Sequence, residues 1–179
     1  MLKSLITSKT RVKILLKFFL NYQTMCHLRG LESEFGESSN SIRMELINLE
    51  NAGILNSMVK GNKKLYYANT NYPLFSEINS ILKKFVGIDQ IIAHITIHLG
   101  NLDATYLIND LAVGKDSNII ELVLVGNKLD RTHIDILISK AENFISRKIK
   151  YFVLSPEEMI SSYNNKPVLL IWKADTSYA

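Results

Sequence analysis

Apolar residues in the first half of the chain recur every three or four positions, which predicts helices. A first helix covers residues 8–20, and CHLRGLESEFG predicts a short second helix that ends at Gly36. In the following segment, ESSNSIRMELINLENAGIL, Ser38 or Ser39 can cap a third helix that ends at Gly53. The buried stripe of this helix is Ile42, Leu46 and Leu49. Two short helices joined by a tight turn form a helix-turn-helix.

A basic hairpin is predicted directly after the third helix. Residues 54–59 and 64–68 are strand-like, and Lys60-Gly61-Asn62-Lys63 forms the turn between them. This order predicts a winged helix-turn-helix. Residues 72–86 predict a further helix, whose wide apolar face can pack on the first helix, on the second domain or across a dimer axis.

The second half of the chain alternates between strand and helix patterns. IDQIIAHITIHLG predicts a helix, ATYLIND a strand, LAVGKDSN a loop and IIELVLVG a second strand. DRTHIDILISKAENFISRK predicts a helix with Ile134, Leu137, Ile138, Ala141 and Ile145 on one face. A strand in IKYFVLS, a capping box from Ser155 to Glu158 and a last strand in KPVLLIWKA follow. The fold class is therefore α+β: a winged helix-turn-helix over 1–86 and a small α/β domain with a mixed sheet over 87–179.

The charge differs between these halves. Residues 1–86 carry twelve Lys and Arg against six Glu, a net charge of +6, whereas the remainder is −2. A basic half suggests a polyanion partner. The single cysteine excludes a disulfide scaffold and a multi-cysteine metal site. Without an apolar run of signal-peptide or membrane-spanning form, we expect a cytoplasmic protein with no membrane partner and no cofactor.

The first half resembles a known family. SIRMELINLENAGIL followed by GNKKLYYAN is similar to the recognition helix and wing of ArsR-type winged-helix transcription regulators, and SKTRVKILLKFF is similar to their first helix. The resemblance implies binding of double-stranded DNA by a homodimer. The cysteine pair with which some members sense metals is missing, since Cys26 stands alone. Metal-dependent regulation is therefore not implied.

The predicted DNA-contacting residues lie on the third helix and on the hairpin. Asparagine can read adenine and arginine can read guanine, so Asn40 and Arg43 are the preferred base contacts. Lysines of the hairpin would neutralise phosphates. The alternative is that both sets are ordinary solvated residues. The full set is Ser39, Asn40, Ser41, Arg43, Met44, Ile47, Lys60, Asn62, Lys63 and Lys64.

The segment YLINDLAVGKDSNIIELVLVG is similar to the active-site signature of minimal nucleotidyltransferases of the DNA polymerase β superfamily. Ala112, Gly114 and Ser117 occupy matching places. The Gly-Ser pair of that family is replaced by Asn109-Asp110.

The carboxylates of the nucleotidyltransferase pattern are largely missing. Ile119 and Glu121 stand where two metal-binding carboxylates are expected, and Lys148-Ile149-Lys150-Tyr151 offers no third one. Two-metal phosphoryl transfer needs several oxygen ligands. We therefore expect no catalytic and no metal-binding residues, and a domain that senses a ligand or dimerises. Residues that could still bind a nucleotide are Asn109, Asp110, Gly114, Ser117 and Glu121.

The sequence thus predicts a DNA-binding transcriptional regulator with a nucleotide or another small molecule as its effector. Two alternatives stay open. One is an active nucleotidyltransferase that uses the winged helix to bind its substrate, and the other is an interaction scaffold whose winged helix binds protein.

Overall fold

The structure, a computed structural model, describes residues 6–145 and 147–174. Within that part of the chain the backbone divides into two units. The first unit runs up to Leu82 and also includes Gly114–Asp116, and the second contains Lys83–Val113 and the residues from Ser117 onward.

Three helices build the first unit. Helix α1 is Lys9–Leu15, capped by the Ser8 hydroxyl, and it continues as a π-helical turn over Leu16–Leu20. Helix α2 is Leu28–Phe35, and Gly36 ends it in the left-handed conformation that glycine adopts without strain. Helix α3 is Ser39–Asn51, and Ser38 rather than Ser39 caps it by accepting a hydrogen bond from the Ser41 amide. The predicted stripe of Ile42, Leu46 and Leu49 is buried.

A three-stranded sheet completes the winged helix. Strand β1 is Cys26–His27, β2 is Leu55–Lys60 and β3 is Lys63–Ala68, in the order β1–β3–β2. The two-residue loop between β2 and β3 begins with Gly61, whose φ of 62° suits a tight hairpin. The predicted wing is therefore present.

Cys26 and His27 correct the predicted start of the second helix. They do not begin α2 but pair antiparallel with Tyr66 and Leu65 of β3. Pairing with a strand some forty residues later is a tertiary effect that helical periodicity does not contain.

Glu50, near the end of α3, ties the helix to the wing. Its carboxylate accepts hydrogen bonds from the Ser57 hydroxyl of β2 and, at 2.7 Å, from the Lys64 ammonium of β3. The bond from Lys64, followed by that from Ser57, lowers the pKa of Glu50, and the same carboxylate raises the pKa of Lys64. Lys64 also lies 5.1 Å from the centroid of the Tyr66 ring. Charge-assisted hydrogen bonds thus hold the wing and α3 together.

The middle of the chain is helical. Helix α4 is Phe75–Val86, three residues shorter at its start than predicted, and the division between the units falls inside it. Helix α5 is Ile88–His94, followed by a 3₁₀ turn over Thr96–His98. The single long helix expected here is therefore two short segments. Among the described residues no helix is both long and apolar enough to cross a membrane.

The second unit is built on a four-stranded sheet in the order β6–β5–β4–β7. The strands are Leu102–Ile108 (β4), Ile119–Gly126 (β5), Lys148–Leu154 (β6) and Val168–Lys173 (β7). The β5–β6 pair is parallel and the two other pairs are antiparallel, so the sheet is mixed, as predicted. The helices are Asn109–Ala112 (α6), Arg131–Glu142 (α7) and Pro156–Tyr163 (α8).

Two local predictions for this unit are wrong and one is confirmed. Asn109 and Asp110 were expected to end a strand but begin the one-turn helix α6. Ile145 was expected on the apolar face of α7 but lies beyond its end at Glu142. The capping box is present, because the Ser155 hydroxyl and the Glu158 carboxylate each accept a hydrogen bond from the other residue's amide.

Both faces of this sheet are buried over much of their length. On one face Ala104, Ile108, Val123 and Val125 pack with Met159 of α8. Because side chains alternate along a strand, Ile120, Leu122 and Leu124 point to the opposite face, where they are fully buried. The mainly apolar composition of β5 follows from burial on both sides.

Replacing Glu50 by glutamine is expected to reduce the loss of unfolding free energy that the protein shows as the pH falls into the acid range. A glutamate with a depressed pKa stabilises the fold above its unfolded pKa of about 4.3, and this contribution is lost as the pH falls through the folded pKa. Because the group is partly exposed, we expect Glu50→Gln to cost about 0.5–1 kcal/mol at pH 7 and almost nothing at low pH.

Thermal melts followed by circular dichroism across the acid range measure this difference. The control is Glu32→Gln in the middle of α2, whose side chain forms no hydrogen bond or ion pair among the described residues and should leave the profile unchanged. If the melting temperatures of wild type and Glu50→Gln differed by the same amount at all pH values, the expectation would be contradicted.

Candidate nucleic-acid interface

The outward face of α3 carries the predicted base-contacting residues. Burial of Ile42, Leu46 and Leu49 fixes the rotation of the helix, and this leaves Asn40, Arg43, Met44 and Ile47 facing outward. Ser39, Asn40, Arg43, Met44 and Ile47 are exposed at the start and middle of the helix.

Ser41 differs from the other members of the predicted set. It is half-buried, and its hydroxyl shares a hydrogen bond of 3.1 Å with Thr10 of α1. Its side chain therefore helps to hold α3 against α1.

Carboxylates bind three of the basic residues of α1 and of the π-helical turn that continues it. Arg11 donates to Glu45 at 2.8 Å, Lys13 to Glu37 at 2.7 Å and Lys17 to Glu34 at 2.6 Å. The Lys17–Glu34 pair is largely buried. These three cations hold α1 against the other helices, whereas Lys9 at its start is exposed and has no ion-pair partner among the described residues.

A second group of cations has no such partners. Arg29, Arg43, Lys60 and Lys63 are exposed, and none of them forms an ion pair within residues 6–145 and 147–174. Lys64 is also exposed, but Glu50 binds it. Unneutralised positive charge thus lies on α2, α3 and the wing, and also at Lys9 of α1 and at Lys83 and Lys84 of α4.

These elements surround one open cleft of about 570 Å³. Its lining combines cationic and apolar side chains from the start of α2, the middle of α3 and the wing. The lining residues are His27, Leu28, Arg29, Arg43, Leu46, Ile47, Asn62, Lys63, Lys64 and Tyr66.

The cleft joins part of the predicted set and adds residues that sequence reasoning missed. Arg43, Ile47, Asn62, Lys63 and Lys64 were predicted and line it together, whereas Ser39, Asn40, Met44 and Lys60 are exposed outside its lining. Arg29 and His27 were not predicted. Arg29 lies in the first turn of α2, and a basic residue at that point of a helix-turn-helix was the available signal.

In the second unit the structure brings Asn109 and Glu121 together. Asn109 has a φ of 55°, and its side-chain amide donates to the Glu121 carboxylate at 2.9 Å. The Ser117 hydroxyl accepts a bond from the Ile119 amide at the start of β5. Gly114 belongs to the first unit by backbone contacts, whereas the four other residues of the predicted nucleotide site belong to the second.

Lys150 is the neighbour of Glu121 that the sequence did not reveal. The parallel register of β5 and β6 aligns Glu121 with Lys150 and Ile119 with Lys148. Lys150 is therefore the residue that pairs with Glu121 across the two strands, although no ion pair joins their side chains among the described residues. No group of three or more His, Cys, Asp or Glu side chains in the described ranges could hold a metal ion.

Comparison with known proteins gives matches in structure alone. No protein-family model and no curated protein matches the sequence. Over 47% of this chain and 80% of the other, the fold is similar to reduced HlyU from Vibrio cholerae N16961, at 15% identity and a TM-score of 0.37.

Two other solved structures are similar over longer stretches. A "putative nucleotidyltransferase" from Sulfolobus solfataricus matches 54% of this chain and 86% of its own, at 19% identity and a TM-score of 0.37. The hypothetical protein PyrSV_gp04 from Pyrobaculum spherical virus matches 90% of this chain and 93% of its own, at 14% identity and a TM-score of 0.29. These similarities concern the path of the backbone, and no family membership follows from them.

Proposed function

We propose that the protein is a transcriptional regulator that binds double-stranded DNA through its first unit. The observation that carries this proposal is the cleft between α2, α3 and the wing, where Arg29, Arg43 and Lys63 have no carboxylate partner among the described residues. Unpaired cations lining a groove are suited to a polyanion, and DNA phosphates are the polyanion that a winged helix can bind.

In this proposal α3 enters the major groove and the wing follows the phosphate backbone. Asn40 and Arg43 stand on the exposed face near the start of α3, where recognition helices contact base edges. Lys60 and Lys63 flank the hairpin loop and can neutralise phosphates. The bonds of Glu50 to Ser57 and Lys64 would keep the wing at a fixed angle to the helix. A homodimer would match a two-fold operator.

For the second unit we propose a non-catalytic role as a ligand-sensing or dimerisation module. The pairing of Glu121 with Lys150 across β5 and β6 supports this role, because a lysine stands there where the nucleotidyltransferase pattern needs a further carboxylate. Asn109 occupies one oxygen of the same carboxylate. Two-metal phosphoryl transfer would need several free carboxylates here.

Removing the two unpaired wing lysines should weaken binding to any duplex and reduce its salt dependence. The slope of log K against log salt is about −0.9 for each phosphate contact. Lys60→Ala/Lys63→Ala should therefore reduce the magnitude of this slope by about 1.8. Fluorescence anisotropy of a labelled duplex between about 50 and 200 mM salt measures the slope.

The matched control removes two exposed lysines of the second unit, as Lys140→Ala/Lys173→Ala. The net charge changes equally in both variants. If net charge alone determined the salt dependence, both variants would therefore show the same reduction in the magnitude of the slope. An unchanged slope in the wing variant would exclude the wing from the interface.

The variants Asn40→Ala and Arg43→Ala should lose discrimination between DNA sequences. Each bidentate base contact contributes about 1–3 kcal/mol of discrimination, which is about 5- to 150-fold in affinity ratio. The probe is a duplex selected from a random pool by the full chain, measured against a scrambled duplex. Asn51→Ala, at the end of the same helix, serves as the control. Unchanged discrimination in both variants would remove them as base contacts.

The full chain should not turn over nucleoside triphosphates with magnesium. A labelled nucleoside triphosphate incubated with the protein, Mg²⁺ and candidate acceptors should show the same background for wild type and Glu121→Gln. Magnesium-dependent turnover that Glu121→Gln abolishes would favour the active nucleotidyltransferase instead.

A further inference from the structure

Helix α3 carries apolar side chains on two opposite faces. Ile42, Leu46 and Leu49 are buried in the core. On the outward face Met44 is 50% exposed and Ile47 is 36% exposed. They lie three positions apart and therefore next to each other on the helix surface.

This outward pair is unusual for a surface helix, whose solvent face is normally polar or charged. Single exposed apolar residues are common, but here two adjoin Arg43, which has no ion-pair partner among the described residues. Ile47 lines the basic cleft together with Arg43 and Lys63. An occupant of this surface must therefore be anionic and must also present apolar groups at the level of the helix.

The major groove of DNA has both properties. Its phosphates are anionic, and each thymine presents a C5-methyl group at the groove edge that apolar side chains contact. Adenine, guanine and cytosine present only hydrogen-bonding groups there. Thymine is therefore the base whose chemistry Met44 and Ile47 complement.

We infer that Met44 and Ile47 read thymine methyl groups, so that the preferred binding site carries thymines opposite the middle of α3. This inference rests on the proposed DNA binding and specifies its sequence preference. Asn40 and Arg43 then supply hydrogen bonds on the same face of the helix, and the wing lysines hold the backbone.

Helix geometry limits the spacing of these thymines. Three residues advance α3 by about 4.5 Å, whereas neighbouring base pairs are about 3.4 Å apart. Met44 and Ile47 therefore reach neighbouring base pairs. We expect two thymines at adjacent steps, on the same or on opposite strands.

Replacing thymine by uracil tests the inference, because uracil lacks only the methyl group. The probe is the highest-affinity duplex recovered when the full chain selects from a random pool, resynthesised with one uracil at a time. Burial of a methyl group predicts that uracil at each of two adjacent positions weakens binding about fourfold, with little effect elsewhere.

Protein variants assign each methyl to its side chain. In Met44→Ala or Ile47→Ala the uracil penalty should vanish at one of the two positions and remain at the other. Both side chains are exposed, so folding should be little affected, which thermal melts verify. The matched control is Met25→Ala, a methionine outside α3 that is 54% exposed and should keep both penalties.

Three outcomes would overturn the inference. They are a selected duplex without adjacent thymines, equal affinity for all uracil-substituted duplexes, and uracil penalties that survive in both α3 variants. In each case the proposed DNA binding would still stand if the wild-type protein bound DNA in a salt-dependent way and Lys60→Ala/Lys63→Ala weakened that binding. If no duplex bound to the protein at low salt, both the proposed DNA binding and the inferred thymine contacts would be contradicted.

Discussion

Burial of Ile42, Leu46 and Leu49 is the constraint on which the first unit depends. Because one stripe of α3 must face the core, the rotation of the helix is fixed, and every outward residue follows from it. The same burial sets the position of Glu50, whose bonds to Ser57 and Lys64 hold the wing beside the helix. The cleft lies where α3 and the wing meet.

The cations of the first unit have two physical roles, which net charge cannot distinguish. Arg11, Lys13 and Lys17 are bound to Glu45, Glu37 and Glu34, and they join helices. Arg29 and Arg43 lie beside the cleft without such partners among the described residues. The net charge of +6 counts both kinds of cation alike, so only the structure separates the paired cations from those that line the cleft.

The second unit shows how a strand register changes the meaning of a residue. Glu121 by itself is compatible with a metal ligand. Pairing of β5 with β6 puts Lys150 next to it, and Asn109 donates to its carboxylate. The register thus pairs the glutamate of β5 with a lysine rather than with a second carboxylate.

Periodicity and turn chemistry by themselves determined most of the fold: the order of helices and strands, the Gly36 helix end, the Gly61 hairpin and the mixed sheet. They failed where the local structure depends on a segment far away in the chain. Cys26 and His27 are the example, because they form a strand by pairing with β3. For the candidate site, the sequence identified the outward residues of α3 and the wing lysines, because both depend on local spacing. It could not reveal Arg29 in the cleft, the pairing of Lys64 with Glu50, or Lys150 beside Glu121. Those juxtapositions join residues far apart in the chain, and only the packing of helices and the register of strands bring them together.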